Sequence, residues 1–371
     1  MPNVSDNWCP EIYRSIFVDR INDDKIEIAP CCQSTPQAEL VDSFDFTTSP
    51  YLNELRQQFS VGGKPSACDR CWHAESNGQK SRRQGAIEFF NMQEYDDTVI
   101  LNSIDYSATW ACNLSCIMCG PHVSSSWAKE LNLNKAQLRA IGRQYQKSNN
   151  FLNKIDISEV KKIHFNGGEP LLNDDQFVIL EELDQIGRLD QVVISYNTNG
   201  TVYPSQRLLD LWSKTKLVKI FFSIDGIDKS FEYIRWPAKW DSVKSNMLKM
   251  KEQLSSNVMF GFNTTVGSYN IFEIVEIYNW FENNLGTNRE GDSSDFSWQL
   301  AYNFDPKFLS QHCKEIAILQ LINIPRLQGI AMYLKEHLSS IESNNWIDAL
   351  DQIDQRRSTS WKNSLRVSQY Y

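Results

Sequence analysis

The stretch CNLSCIMCG, residues 112–120, places three cysteines within eight positions at the spacing C-x3-C-x2-C. It follows directly on a strand-like run, TVILNSIDYSATW, residues 98–110. Two metal centres fit such a spacing. The three thiolates together with His122 could surround a zinc ion, or the thiolates alone could hold a [4Fe–4S] cluster whose fourth iron is open to a ligand. The cysteine stretch by itself leaves both interpretations open for Cys112, Cys116 and Cys119.

The composition is that of a soluble globular protein in a reducing compartment. Apolar residues make up 41% of the 371 residues and charged residues 22%, and no apolar run is long enough to span a membrane. The first residues, MPNVSDNWCPEIY, lack the pattern of a signal peptide. We therefore expect a cytoplasmic protein without membrane contact, in which clustered cysteines bind metal rather than form disulfides.

The charge of the chain argues against a general nucleic-acid binder. The net charge is −9, whereas proteins that bind nucleic acid without specificity are usually basic. The last seventeen residues, QRRSTSWKNSLRVSQYY, carry four basic side chains and no acidic one. We interpret this segment as a frayed terminus.

Strand-like and helix-like patterns alternate from residue 98 onward. Such alternation predicts βαβ units, a parallel sheet and right-handed crossovers, in which ligands bind at the carboxyl ends of the strands. The helical candidates between the strands are amphipathic, and from residue 306 the chain is largely helical. The predicted strands are residues 98–110, 160–167, 192–198, 218–225, 258–266 and 297–304.

Polar motifs end the second, third and fourth of these strands. Paired glycines in NGGEP allow close approach of a ligand to the backbone, and the glutamate of that motif suits an ammonium group. The short polar side chains in YNTNG and SIDG suit ribose hydroxyls. Each motif alone is an ordinary turn signal, but their order at successive strand ends is informative. The residues concerned are Gly167, Gly168, Glu169, Asn197, Asn199, Ser223 and Asp225.

The motifs in this order resemble the radical S-adenosylmethionine (radical SAM) superfamily over residues 98–305. The resemblance implies a partial (β/α)6 barrel, a [4Fe–4S] cluster on the three cysteines of the loop, and S-adenosyl-L-methionine (SAM) on the open iron. It implies that SAM is cleaved reductively to a 5′-deoxyadenosyl radical, which abstracts hydrogen from a peptide or small polar substrate. A reductant protein such as flavodoxin or ferredoxin is implied as a partner.

The same resemblance implies roles for individual residues around SAM. Glu169, within the glycine motif, would contact the methionyl ammonium. Arg235 looks like an arginine near the SAM carboxylate, with a surface arginine as the alternative. Met118 stands where an aromatic residue often lies near the adenine, and a thioether can pack against a ring. The residues implied to line the ribose are Asn197, Asn199, Ser223 and Asp225.

Five further cysteines precede the predicted barrel. A cysteine, a short strand ending in the pair Cys31 and Cys32, and a distal C-x2-C look like a twitch domain, the short form of the SPASM auxiliary-cluster domain. This resemblance implies a second, auxiliary [4Fe–4S] cluster, with Cys31 preferred to Cys32 because it follows the strand directly. A structural zinc site with the same four thiolates is the alternative. The assigned ligands are Cys9, Cys31, Cys68 and Cys71.

The segment that follows these cysteines, residues 72–90, has two interpretations. Glu75, Arg82 and Arg83 could lie beside the auxiliary cluster, but a solvated linker helix is the favoured interpretation. Cys313 has no partner pattern, and we interpret it as structural. The predicted domains are residues 1–95 for the auxiliary cluster, 96–305 for the radical SAM barrel and 306–371 for a C-terminal helical extension.

The predicted function is therefore that of a radical SAM enzyme with an auxiliary cluster. A zinc-stabilised binding module without catalysis is the alternative from a different class of protein. Radical modification of RNA keeps the same chemistry, but the acidic net charge disfavours it.

Overall fold

The computed structural model describes residues 7–22, 25–76, 80–92, 96–108, 110–141, 155–286, 296–340 and 342–371. The strands are β1 Ser15–Asn22, β2 Lys25–Ala29, β3 Gln37–Leu40, β4 Ser103–Tyr106, β5 Lys162–Phe165, β6 Val193–Thr198, β7 Leu217–Ser223, β8 Val258–Val266 and β9 Phe296–Leu300. The helices are α1 Glu11–Arg14, α2 Pro50–Ser60, α3 Asp69–Ser76, α4 Arg82–Phe89, α5 Ser125–Glu130, α6 Lys135–Ala140, α7 Asp175–Gln185, α8 Gln206–Ser213, α9 Asp228–Ile234, α10 Trp240–Gln253, α11 Ile274–Asn284, α12 Gln311–Leu321, α13 Gln328–Glu336, α14 Asn345–Arg357 and α15 Trp361–Ser364.

The chain forms two compact units, each built from separate stretches of sequence. The first unit comprises residues 1–110, 135–196 and 206–218. The second unit comprises residues 111–134, 197–205 and 219–371.

The sheet of the first unit has the strand order β3-β2-β1-β4-β5-β6. β4, β5 and β6 are parallel to their neighbours, and β1 joins the edge of β4 in parallel as well. β2 and β3 are antiparallel additions that extend the sheet beyond β1. The prediction of an α/β protein with a mostly parallel sheet is confirmed, and the amino-terminal segment adds strands to that sheet.

One face of this sheet is apolar and carries helices. Ile163 and Ile194 on that face are fully buried. The hydroxyl of Tyr106 donates to Asp175 of α7 at 2.6 Å, and the hydroxyl of Tyr196 donates to Gln176 of α7 at 3.0 Å. α7 and α8 therefore cover this face, as the alternating pattern of a βαβ unit requires.

The second unit contains the strands β7, β8 and β9 and the C-terminal helices. β8 and β9 are parallel, and aromatic rings of Phe262, Trp280, Phe281 and Phe296 pack together beside them. All six strands that the sequence predicted from residue 98 onward exist as β4–β9, although the first is four residues long rather than thirteen.

The C-terminal segment is packed, so its interpretation as a frayed terminus is wrong. Trp361, Leu365 and Val367 are almost fully buried, and the Arg366 backbone N–H donates to Glu273 at 2.8 Å. The four basic residues of the segment concealed this apolar spacing. In the described part of the chain, no helix is long and apolar enough to cross a membrane.

Candidate active site

The cysteine loop of the second unit is held by backbone hydrogen bonds on both sides of its second cysteine. The N–H of Ser115 donates to the carbonyl of Trp236 at 2.7 Å, and the N–H of Ile117 donates to that of Ile234 at 2.9 Å. The indole N–H of Trp127 donates to the carbonyl of Cys116 at 2.7 Å. The loop is thus fixed against the end of α9 by contacts that involve none of its thiols.

The three thiols of the loop differ in burial and in proton affinity. Cys116 is buried, whereas Cys112 and Cys119 are partly exposed. A hydrogen bond between the thiols of Cys116 and Cys119 raises the pKa of Cys116, and burial adds to this effect. The same bond lowers the pKa of Cys119. Because metal ligation requires thiolates, a cation beside this pair would favour the ligating form.

Arg235 supplies that cation. Its Nη1 lies 3.8 Å from Cys116 Sγ, and the residue is 7% exposed, so it is not a surface arginine. Its Nη2 is 2.5 Å from Asp225 Oδ2, so the two side chains form a buried ion pair. One buried guanidinium thus serves both the thiol pair and a carboxylate.

Asp225 is fully buried and already engaged. Its Oδ1 accepts the N–H of Thr265 at 2.6 Å, and its Oδ2 faces Arg235. Burial raises the pKa of Asp225, and the charge of Arg235 opposes this effect. The structure gives Asp225 partners within the protein, and its role toward a ribose stays a prediction.

A network of amides ties the segment that follows β6 to the cysteine loop, within the second unit. Asn199 Nδ2 donates to Asn113 Oδ1 at 3.0 Å, and Asn113 Nδ2 donates to Thr201 Oγ1 at 2.8 Å. The N–H of Thr201 in turn donates to Asn199 Oδ1 at 2.9 Å. Asn113 and Thr201 escaped the sequence analysis, although Asn113 directly follows the first cysteine of the loop.

Three other predicted SAM residues of the second unit lie at less enclosed positions. Asn197, Ser223 and Met118 are partly exposed, whereas Asn199 is 5% exposed. The roles of these residues toward SAM stay predictions.

The glycine motif lies in the first unit and forms a turn after β5. Gly167 has a φ of 107°, a conformation that favours glycine. Glu169 is fully buried, and its Oε1 accepts the N–H of Leu171 at 3.1 Å at the start of a short helix. Glu169 thus has a structural contact, and its contact with the SAM ammonium stays a prediction.

Four of the five amino-terminal cysteines line one pocket in the first unit. Ile12, Pro30, Phe59 and Trp72 contribute apolar walls to it. Burial raises the pKa of Cys9 and Cys31 well above the usual range and that of Cys68 to about 11. The thiols on the pocket wall are those of Cys9, Cys31, Cys68 and Cys71, the four predicted ligands.

The pocket also has a charged wall that corrects the interpretation of residues 72–90 as a solvated linker. Arg83 lines the pocket and is 7% exposed. Its Nε and Nη2 donate to the two carboxylate oxygens of Glu75 at 2.9 and 2.7 Å, and its Nη1 donates to the carbonyl of Trp8 at 2.8 Å. The segment folds as the end of α3 and as α4 because these buried contacts hold it, so the solvated interpretation is wrong for Arg83.

The family model of the radical SAM superfamily matches residues 106–281. This segment contains the cysteine loop, the glycine motif, Asn199, Asp225 and Arg235. Over these residues, nearly half of its length, the chain matches the radical SAM superfamily of enzymes.

Several curated proteins are similar to parts of the chain. A probable GTP 3′,8-cyclase of Methanothermobacter marburgensis is 35% identical over 102 residues, which is 28% of either chain. A GTP 3′,8-cyclase of Syntrophomonas wolfei is 25% identical over 170 residues, covering 44% of this chain and 48% of that protein. The chain therefore matches less than half the length of these relatives.

Solved structures are similar at low sequence identity. The structure of native anSMEcpe with bound AdoMet matches 60% of both chains at a TM-score of 0.41 and 19% identity. The structure of SuiB from Streptococcus suis bound to S-adenosylmethionine matches 82% of this chain and 68% of that one, at a TM-score of 0.37 and 12% identity.

A match to the radical SAM superfamily implies a [4Fe–4S] cluster and SAM, and the residues of the loop fit such a cluster. Cysteine thiolates are the usual ligands of iron–sulfur clusters. Cys112, Cys116 and Cys119 supply three of them on a loop fixed by its own backbone, with a buried guanidinium beside Cys116.

Arg357, at the end of α14, contacts the cysteine loop from the C-terminal part of the chain. The sequence analysis did not identify this residue. Its Nη2 donates to the carbonyl of Ser115 at 2.7 Å, and the guanidinium is bidentate to Glu130 at 3.0 and 3.1 Å. The side chain is 3% exposed, and its guanidinium lies 4.8 Å from the ring centre of Trp127. No local motif marks an arginine that acts over more than 200 positions of sequence.

We expect Arg357→Ala to loosen the loop and to weaken retention of its cluster. Breaking a buried ion pair costs about 3 kcal/mol because the remaining charge loses its partner. Thermal unfolding and the iron content after anaerobic reconstitution measure these effects. Arg356→Ala is the matched control, since Arg356 is 37% exposed and lies 3.9 Å from Glu130. Equal stability and equal iron content in the two variants would show that Arg357 does not hold the loop.

Proposed function

We propose that the protein is a radical SAM enzyme that modifies a small polar molecule or a peptide. The observation that carries this proposal is the fixed three-cysteine loop within the segment matched by the family model. Cys112, Cys116 and Cys119 hold the [4Fe–4S] cluster, and SAM completes the coordination of the open iron.

The proposed architecture has three parts. β4–β9 and their helices form a partial (β/α)6 barrel, residues 1–95 an auxiliary-cluster domain of the twitch type, and residues 306–371 a helical extension. The parallel register of β4, β5 and β6 and that of β8 and β9 support this proposal.

The residues of the chain have distinct tasks in the proposed reaction. When bound, the cluster and SAM supply reductive cleavage of SAM and abstraction of a hydrogen atom from the substrate. Arg235 favours the thiolate forms of Cys116 and Cys119 through its positive charge. Asn199 and Asn113 keep the loop attached to the segment that follows β6, and Glu169 binds the SAM ammonium.

The four-thiol pocket is proposed to hold a second, auxiliary [4Fe–4S] cluster. Four cysteines on one largely apolar wall, with Arg83 beside them, support this assignment. In the described part of the chain, no three His, Cys, Asp or Glu side chains converge on a position for one metal ion. In a [4Fe–4S] cluster, each thiolate binds a different iron atom. The four sulfur atoms therefore need not converge on one point, as they would around a single metal ion.

The names of the curated relatives favour a small polar substrate over a peptide. Both relatives are described as GTP 3′,8-cyclases, enzymes whose named substrate is a small molecule. The net charge of −9 disfavours RNA. A flavodoxin or ferredoxin is the proposed electron donor, and the proposed location is cytoplasmic.

Anaerobic purification tests this function. We expect a brown protein with about eight iron atoms, four in each of two clusters, that forms 5′-deoxyadenosine from SAM under dithionite. A colourless protein with stoichiometric zinc and no SAM cleavage would support a non-catalytic binding module instead.

Replacing Glu169 tests its role in SAM binding separately from its role in the turn. Glu169→Gln keeps an oxygen for the N–H of Leu171 but removes the charge, whereas Glu169→Ala removes both. Since a charge-assisted hydrogen bond contributes a few kcal/mol, we expect SAM affinity to fall about 10-fold in the glutamine variant and up to about 100-fold in the alanine variant. Titration of the reconstituted proteins with SAM measures this, and wild-type affinity in the glutamine variant would make the motif a turn only.

A further inference from the structure

A row of polar side chains crosses three neighbouring strands of the first unit. Asp105 of β4 is in register with His164 of β5, and His164 is in register with Ser195 of β6. Because side chains alternate along a strand, these three residues lie on the face opposite to the one covered by α7 and α8. His164 Nδ1 is 2.8 Å from Ser195 Oγ, so two members of the row are hydrogen-bonded to each other.

The carboxylate of Asp105 is the unsatisfied group in this row. Asp105 is 8% exposed, and its Oδ1 has no hydrogen-bond partner among the described residues. The thiol of Cys32 lies beside the same carboxylate. A buried acceptor without a donor is costly, by about 1–3 kcal/mol and more for a charged group, so such a group usually has a water, a ligand or an ion beside it.

The cations and histidines near Asp105 leave its charge uncompensated. Arg82 donates through Nε to both carboxylate oxygens of Glu11, at 3.1 and 2.9 Å, and through Nη1 to Cys32 Sγ at 3.2 Å. Burial lowers the pKa of His164, so this residue is neutral near pH 7. Among the described residues, no lysine or arginine forms an ion pair with Asp105, and a cationic ligand would complete the site.

Cys32 belongs to this row and not to the four-thiol pocket. The adjacent Cys31 lines that pocket, but Cys32 does not. Cys32 is partly exposed, unlike Cys31. It can therefore report whether the neighbouring carboxylate is occupied.

We infer that Asp105, Cys32, His164 and Ser195 form a binding site for the protonated amino group of a small polar substrate. The inference rests on the proposed function and names the chemical class of its substrate. An ammonium group has three N–H donors, and one of them would donate a hydrogen bond to Asp105 Oδ1. The positive charge of the ammonium group would balance the negative charge of the carboxylate. His164 and Ser195 offer a neutral ring and a hydroxyl for a further polar group of the same molecule.

The occupancy of the site can be tested without knowing the substrate. The probe is n-propylammonium chloride, and n-propanol with equal sodium chloride is its neutral counterpart. Both are added to the cluster-loaded wild-type protein during brief treatment with methyl methanethiosulfonate, and mass spectrometry follows the modification of Cys32. We expect propylammonium to slow this modification about tenfold at a concentration of about ten times its dissociation constant, and propanol to leave it unchanged. Cys313, which is 1% exposed, is the internal control and should stay unmodified.

Three results would overturn the inference. These are equal effects of the amine and the alcohol, no modification of Cys32 in the unliganded protein, or undiminished protection by the amine in Asp105→Asn. The comparison of the two probes in the wild-type protein remains decisive if the variant does not fold. Iron content and SAM cleavage are measured on the same sample. A protein without iron and without SAM cleavage would count against the proposed function. A protein that keeps its iron and cleaves SAM, but whose Cys32 is not protected by the amine, would count against the amine site alone.

Discussion

Cys116→Ala is expected to lose the iron of one cluster and to abolish reductive cleavage of SAM. Cys116 is the buried member of the three loop cysteines, and Arg235 Nη1 lies 3.8 Å from its sulfur. The substitution leaves the backbone contacts of the loop in place, since Trp127 donates to the carbonyl of residue 116 and not to its side chain. We therefore expect a folded protein that retains about four of its eight irons in the four-thiol pocket.

Iron analysis and the yield of 5′-deoxyadenosine under dithionite measure this effect. Cys313→Ala is the matched control, because Cys313 is also a buried cysteine of the second unit but lies in α12. That variant should keep its iron and its SAM cleavage. Unchanged formation of 5′-deoxyadenosine in Cys116→Ala would disprove the assignment of the loop to the SAM cluster.

The sequence predicts well those parts of the fold that depend on local periodicity. The apolar runs of residues 192–198 and 258–266 became β6 Val193–Thr198 and β8 Val258–Val266, because buried parallel strands need continuous apolar side chains. The amphipathic stretch DDQFVILEELDQIG, residues 174–187, became α7 for a similar reason, since its apolar side chains face the sheet.

Features that depend on contacts between distant segments could not be predicted in this way. β1 has a strand-like sequence, but nothing in it shows that it pairs in parallel with β4, about ninety positions later. Arg357 contacts the cysteine loop only because α14 packs there. The preference for Cys31 over Cys32 came from a strand end, whereas their different surroundings depend on Arg82 and Asp105, which lie far along the chain.

The double variant Cys68→Ala, Cys71→Ala is expected to lose about half the iron while still cleaving SAM in the absence of substrate. The two cysteines lie near the start of α3 on the wall of the four-thiol pocket, and both belong to the first unit. The three-cysteine loop that is proposed to bind SAM belongs to the second unit. An auxiliary cluster with four protein ligands has no open iron for SAM, so its loss should stop conversion of the substrate and spare SAM cleavage.

The folding of this variant must be established before its activity is interpreted, because four-thiolate sites often contribute to the folding of the module around them. Size-exclusion chromatography and circular dichroism serve this purpose, and Cys32→Ala is the matched control for iron content, since Cys32 is adjacent to the pocket but does not line it. That control should keep both clusters. A folded double variant that makes full product would show that the pocket takes no part in the reaction. If the pocket of the wild-type protein contains zinc after anaerobic preparation, the pocket is a structural zinc site and not the site of an auxiliary cluster. The assignment of the three-cysteine loop would be unaffected.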